Sequence, residues 1–270
     1  LATDLPIFSV RHSFGDFDRV GRRLMGNLFK SRLTLLAVSN AVRDEIRSHL
    51  PAWPEDRIIT LYNRIDVDTA RQDLLDRQEA RHKLRLPENS WVLGSVGRLH
   101  PDKDPQTLIK GFARALPDLP AGALLVMLGD GKLLQPLKAL AAELNISDSV
   151  LLPGNVIEAR RYFRAFDAFA LTSDQEPFGM VLLEAMAAEL PIICSDCGGG
   201  PEVVGDTGEL FPFGDADALA EGLIRVSQKQ LTEADHNQIF QRLQNHFSDC
   251  AIREQFWQLP QVTSTLSKPV

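Results

Sequence analysis

The sequence predicts an α/β protein built on a parallel sheet with helices over both faces, and three observations carry that expectation. From residue 58 to residue 211, short apolar runs read as strands at 58–62, 91–96, 123–128, 150–152, 168–171, 192–195 and 209–211. Helical patterns at 105–116, 133–144, 157–165 and 216–226 separate most of them, and such alternation implies a parallel, doubly covered sheet. Helix start signals agree, as at Asp104-Pro105, a capping residue followed by a first-turn proline.

Ahead of residue 58 the same logic gives two more buried strands, 6–10 and 33–38. Between them Val20, Leu24 and Leu28 recur at four-residue steps, which places them on one face of a helix within 16–32. The stretch 11–32 also holds Arg11, Arg19, Arg22, Arg23, Lys30 and Arg32 against Asp16 and Asp18. Such a helix either lies on an anionic membrane surface or shows a solvated basic face above ordinary core packing, the commoner case. Ser39 or Asn40 caps a helix through residue 49, and Pro51 and Pro54 then break the pattern. The charged stretch 66–87 reads as a link or decoration, 232–259 as two terminal helices, and 260–270 as loose chain.

Composition narrows the function classes. Hydrophobic residues at 44% and charged residues at 24% are ordinary for a soluble globular protein. A net charge of −7 argues against a nucleic-acid binder, because no excess of cations is present to displace phosphate counterions. The longest apolar run, 123–128, falls far short of the ~20 residues needed to span a bilayer. Cys194, Cys197 and Cys250 form no disulfide framework and fit a reducing compartment. The Cys194-x-x-Cys197 pair lacks the second ligand pair of a structural zinc site, and no histidine spacing suggests a metal, so none is expected.

Sheets of this kind bind ligands beyond the carboxyl ends of their strands, which directs attention to the loops there. In the loop 97–104, Gly97 permits close backbone approach while Arg98 and Lys103 stand beside a helix start; the loop suits a diphosphate clamp or a solvated surface turn. Gly129-Asp130-Gly131 lacks the third glycine of a dinucleotide fingerprint, which disfavours a nicotinamide enzyme, and reads equally as a tight turn. The same two readings apply to Gly198-Gly199-Gly200.

The most informative stretch is 171–204, LTSDQEPFGMVLLEAMAAELPIICSDCGGGPEVV. Glu176 precedes its helix and Glu184 lies on it; eight helical residues span ~12 Å, and Pro177 keeps the first part non-helical. A glycosidase pair flanks one bond at roughly 5 to 9.5 Å, so these carboxylates suit the two ends of an elongated ligand instead. Between them Phe178, Gly179, Met180 and Val181 open the helix, where unpaired N–H groups make an anion site.

With GRLHPDKD, LGDG, the stretch above, AVSNAVRDEI and LYNRID, the sequence resembles the retaining GT-B glycosyltransferases of family 4 over most of residues 8–226. The Glu176-x7-Glu184 element is the most specific part of the match. The resemblance implies a Rossmann-like donor domain that binds a UDP-sugar or GDP-sugar, a glycan or glycolipid acceptor, and neither cofactor nor metal. It implies that Arg98 and Lys103 meet the donor phosphates, Glu184 the ribose and Glu176 the sugar hydroxyls. The backbone from Phe178 to Val181 would cradle diphosphate and sugar, with Asn155 and Val156 bordering the base. His12, in VRHSF, matches a strand-end histidine of the family and would approach the donor sugar. Two positions depart from the pattern: Arg64 replaces the glycine of NGID, and Pro177 stands where glycine is common.

These readings divide the chain into 1–62, the end of an N-terminal acceptor domain; 63–230, the nucleotide-sugar domain; and 231–270, terminal helices and tail. Leu1 in place of methionine points to a start inside a longer protein. The expected location is cytoplasmic, at the inner membrane face with peripheral contact. Two alternatives stay open: a nucleotide-binding fragment without turnover, and another GT-B enzyme such as a nucleotide-sugar epimerase.

Overall fold

The computed structural model describes residues 6–266, and the chain forms two compact units. One comprises the residues up to Ile65 together with those from Gln244 onward, and the other is Asp66–Leu243.

In the first unit, β1 (Ile7–Arg11), β2 (Leu33–Ala37) and β3 (Ile58–Thr60) form a parallel sheet in that order. Helix Asn40–His49 connects β2 to β3, and the Ser39 hydroxyl oxygen accepts from the Val42 N–H at 3.1 Å, so Ser39 is its cap. Val42 and Ile46 from this helix are buried beside the sheet, whose Leu35, Leu36 and Ile58 are buried as well. The helix Val20–Phe29, between β1 and β2, departs from expectation. Its apolar row faces outward and its buried residue is Gly26.

The carboxyl-terminal helices belong to this unit too. Phe256, in helix Asp249–Trp257, meets Phe8 edge to face at 5.4 Å, and Phe247 meets Tyr62 at 5.5 Å. Part of the stretch expected to be loose is a helix, Pro260–Leu266, begun by its proline. Gln261 Nε2 donates to the Asp56 carbonyl at 2.6 Å, and Val262 is buried. Residues 1–5 and 267–270 lie outside the described residues. Whereas the sequence alone suggests boundaries at 62/63 and 230/231, the compact units part at 65/66 and 243/244, the second within helix Glu233–Phe247.

The second unit contains a six-stranded parallel sheet of β4 (Val92–Val96), β5 (Leu124–Leu128), β6 (Val150–Gly154), β7 (Ala168–Leu171), β8 (Ile192–Ser195) and β9 (Glu209–Phe211). The order is β6-β5-β4-β7-β8-β9, so successive strands run outward from β4 to one side and from β7 to the other. Helices Pro105–Ala115 and Ala216–Gln228 pack together on the sheet, burying Phe112, Leu219 and Leu223 with Leu93, Leu125 and Ile193. Gly111 makes this approach close, since a Cβ there would stand 2.6 Å from Leu219 Cδ2.

Two segments of this unit depart from their sequence reading. The stretch 66–87 is not a decoration: it forms helices Val67–Asp73 and Arg77–Leu84, capped by Asp66 and Asp76. Arg81 is 1% exposed, donating to Asp167 Oδ2 at 2.7 Å and to the carbonyls of Ala165, Pro87, Glu88 and Ser90. Asp167 Oδ2 also accepts from the Val92 N–H at 2.7 Å, tying this pair to the first residue of β4. The expected helix 157–165 is instead a 3₁₀ segment, Ala159–Ala165, entered through Glu158 in left-handed conformation.

Candidate functional site

The winding order of the chain through the sheet reverses between β4 and β7, and a crevice at the carboxyl ends of such a strand pair is where doubly wound folds take ligands. The loops leaving these two strands meet there. Lys103 Nζ donates to Glu176 Oε2 at 2.6 Å, and the Ser173 hydroxyl donates to the same oxygen at 3.2 Å. Glu176 is 8% exposed, so its charge is paired rather than solvated, and among the described residues Oε1 has no partner. The two loops are also joined through their backbones. The Thr172 hydroxyl donates to the carbonyls of Lys103 and Asp104 at 2.9 and 3.0 Å, and the Asp174 N–H donates to the Asp102 carbonyl at 3.0 Å.

The glycine loops of the neighbouring strands support this pair of loops. Gly198 has φ +64° and lies so near the Glu176 backbone that a Cβ would come within 2.3 Å of its carbonyl oxygen; the Gly199 N–H donates to that oxygen at 2.7 Å. From β8, the Ser195 hydroxyl donates to the Ser173 carbonyl at 2.7 Å. On the other side, Gly129 packs against the Gly97 carbonyl, and the Leu99 N–H donates to the Asp130 carbonyl at 2.9 Å. Both glycine motifs brace the loops that carry Lys103 and Glu176.

Beside Glu176 begins helix Met180–Ala187, with Gly179 at φ +94° as N-cap and no side chain capping it. Its leading N–H groups form the positive end of a helix dipole. Phe178 is buried and Met180 is exposed at this end, and Val181 follows half-buried. One turn on, the side chain of half-buried Glu184 makes no hydrogen bond or ion pair among the described residues. Burial pushes its carboxyl above the usual carboxylate range, only partly offset by the charge of Arg160.

Lys103, Glu176, Gly199 and the Phe178 to Val181 turn thus come together, with Glu184 farther along the same helix. Arg98 does not join Lys103 on Glu176; it is exposed and pairs with Asp102 at 3.2 Å. His100 Nδ1 also pairs with Asp102. Burial alone would raise the Asp102 carboxyl, but the His100 hydrogen bond and the charges of His100, Lys103 and Arg98 outweigh it and hold the group low. Gly97 is exposed, its N–H bonded to the Leu128 carbonyl, while Asn155 and Val156 follow β6, exposed and half-buried respectively. His12 is exposed directly after β1 in the first unit. The buried hydroxyls of Thr172, Ser173 and Ser195 escaped sequence reasoning; their only signal was a polar residue at or just past a strand end.

The three cysteines are free thiols. Burial, reinforced by the charge of Glu176, drives the Cys194 thiol far above its usual value, and Cys197 Sγ donates to the Asp174 carbonyl, so neither is a ready thiolate. Among the described residues, one trio of potential metal ligands converges, Asp18, Glu45 and His49 of the first unit.

A doubly wound sheet whose switch point holds a Lys–Glu pair beside an uncapped helix N-terminus suits an anionic, hydroxyl-bearing ligand. The chain belongs to the family of group 1 glycosyl transferases, which it matches over residues 76–242. It is 32% identical over 192 residues to N-acetyl-alpha-D-glucosaminyl L-malate synthase of Bacillus anthracis, covering 70% of this chain and 49% of that protein. It is 34% identical over 176 residues to the GDP-mannose-dependent alpha-(1-6)-phosphatidylinositol monomannoside mannosyltransferase of Mycobacterium tuberculosis, covering 60% of this chain and 44% of that protein. Among solved structures, HepE of Anabaena in complex with UDP superposes with a TM-score of 0.80 at 22% identity, over 97% of this chain and 72% of that one. The fold is thus GT-B, and the chain spans about half the length of the curated relatives it matches.

Proposed function

We propose that the protein containing this chain is a retaining glycosyltransferase, moving a sugar from a UDP-sugar or GDP-sugar to a glycan or glycolipid acceptor. The observation that carries the reading is the 2.6 Å Lys103–Glu176 pair beside the Gly179 helix start at the switch point. Lys103 and the leading N–H groups meet the diphosphate, and as the bond to the sugar breaks they stabilise the negative charge left on it. Glu176 accepts hydrogen bonds from sugar hydroxyls through its free Oε1, and Glu184 accepts from ribose hydroxyls. Arg98 reaches the outer phosphate from its exposed loop, and Asn155 and Val156 border the base. This charge set meets the diphosphate without a metal ion. Relatives named for glycolipid products support the acceptor class, and the location stays cytoplasmic in this reading.

A second reading, nucleotide binding without transfer, is favoured by the chain's spanning only 49% and 44% of these two relatives. Calorimetric titration with UDP-glucose and GDP-mannose, followed by turnover assays on this chain and on the complete protein that contains it, separates them. Saturable binding of one nucleotide sugar without release of the nucleoside diphosphate supports the second reading; absence of any binding overturns both.

A further inference from the structure

We infer that Asp102 is a positioning residue for the donor diphosphate, acting through Arg98; this rests on the donor-site reading and extends it to a residue of opposite charge. The backbone around Arg98 is already fixed. Leu99 is buried and its N–H donates to the Asp130 carbonyl at 2.9 Å, while the His100 N–H donates to the Arg98 carbonyl at 2.9 Å. The side chain is not fixed in this way. It is 70% exposed, and among the described residues its one hydrogen-bonding or ionic partner is Asp102 Oδ2, at 3.2 Å. A long side chain left free gives up its rotamer freedom when it meets a ligand, whereas one already held has less to lose.

Asp102 is itself firmly placed. It is the middle residue of the 3₁₀ turn Pro101–Lys103, where the Lys103 N–H donates to the His100 carbonyl and the Asp104 N–H to the Pro101 carbonyl, both at 3.0 Å. Its own carbonyl accepts from the Asp174 N–H at 3.0 Å, which ties the turn to the loop that carries Glu176. A carboxylate among cations that meet a diphosphate repels that ligand, and would only weaken the site if it did nothing else. Here both of its oxygens are turned to donors, Oδ1 to His100 and Oδ2 to Arg98, so its charge is answered within the loop. The contact with Arg98 commits one N–H of a guanidinium that carries five, and the rest stay open to a phosphate.

The experiment is calorimetric titration of the chain with UDP and GDP, and with uridine and guanosine as controls. Asp102→Ala should weaken the nucleoside diphosphate by roughly 3- to 10-fold and the bare nucleoside hardly at all. Asp102→Asn, whose amide oxygen still accepts from the guanidinium, should lose clearly less. In an Arg98→Ala background, adding Asp102→Ala should change the affinity by less than about 1.5-fold, because the residue it acts through is gone. The Asp102 side chain is part exposed, and circular dichroism should show unchanged folding in every variant. Additive losses in the double variant, unchanged affinity in Asp102→Ala, or equal losses in Asp102→Ala and Asp102→Asn overturn the inference while leaving the donor site standing. So does tighter binding by Asp102→Ala, which makes the carboxylate a competitor of the phosphates. A folded wild type that binds neither nucleotide overturns the donor-site reading and the inference together.

Discussion

Replacing Glu184 by Gln separates what this residue costs the empty protein from what it gives a ligand. The Glu184 side chain is half-buried without a hydrogen bond or ion pair among the described residues, and burial raises its carboxyl against the weaker opposing charge of Arg160. A dehydrated, unpartnered carboxylate destabilises the fold. Because the folded value lies above the unfolded one, the native state holds the proton longer. Stability is then greatest below the ordinary carboxylate value and declines as pH rises through the interval up to the raised value. Glu184→Gln should remove this decline and leave the ligand-free protein at neutral pH at least as stable as wild type. Ligand binding should move the other way. Both carboxylate oxygens are free, so two ribose hydroxyls can donate without displacing a protein partner. Giving up roughly half of two such charge-assisted bonds should cost about 1.5 to 3 kcal/mol, or about 10- to 150-fold in affinity for UDP or GDP. Thermal unfolding across pH and calorimetric titration read the two effects. Unchanged nucleotide affinity together with lost stability would refute the ribose assignment and make Glu184 a packing residue.

Glu176→Gln should leave free UDP or GDP binding nearly intact while weakening the sugar-bearing donor by ~2- to 12-fold, since a neutral acceptor gives up roughly half of a charge-assisted bond; equal weakening of both ligands in paired titrations removes Glu176 from the sugar. Lys103→Ala should cost about 1 to 3 kcal/mol of stability by stranding the buried Glu176 charge, whereas Arg98→Ala, losing one exposed pair, should cost ~0.5 kcal/mol or less. Each should weaken nucleoside diphosphates far more than the bare nucleoside, and calorimetry with UDP and uridine showing equal losses would point to loop damage instead. Asp167→Ala leaves the Arg81 guanidinium buried without its counter-charge and should cost about 3 to 5 kcal/mol in urea unfolding; a loss below ~1 kcal/mol would show that the carbonyls alone satisfy Arg81.

The inner strands were legible because a strand covered on both faces has little freedom in composition: the runs at 168–171 and 192–195 coincide with β7 and β8, buried at every position. The opening of the Met180 helix was legible from Pro177 and Gly179, which break the chain just ahead of it. What failed did so where tertiary context reversed a local rule. Arg81 sits in a charged stretch, yet five acceptors let its guanidinium be buried. In helix Val20–Phe29 the period was read correctly and the inward face wrongly, because periodicity marks an apolar row without saying what covers it. In the site, carboxylates and cations were visible by type, while Thr172 and Ser173 became visible only once the β4 and β7 loops were side by side.

That juxtaposition bears on how a donor enters. In the empty site Lys103 and Glu176 satisfy each other, which keeps a buried carboxylate and a partly buried ammonium from standing unpaired. The pair need not open when ligand arrives. An ammonium has three donors and, among the described residues, only one is committed here, while the carboxylate keeps Oε1 free. The same contact can therefore persist while Lys103 turns its remaining donors to a phosphate and Glu176 its second oxygen to a hydroxyl. Ser173, Thr172 and the Gly199 N–H hold both loops from behind, so the two ends of the pair are fixed before binding rather than ordered by it. Less conformational entropy is then lost on association, and under the proposed transferase reading the binding energy would go to the charge that develops as the sugar leaves.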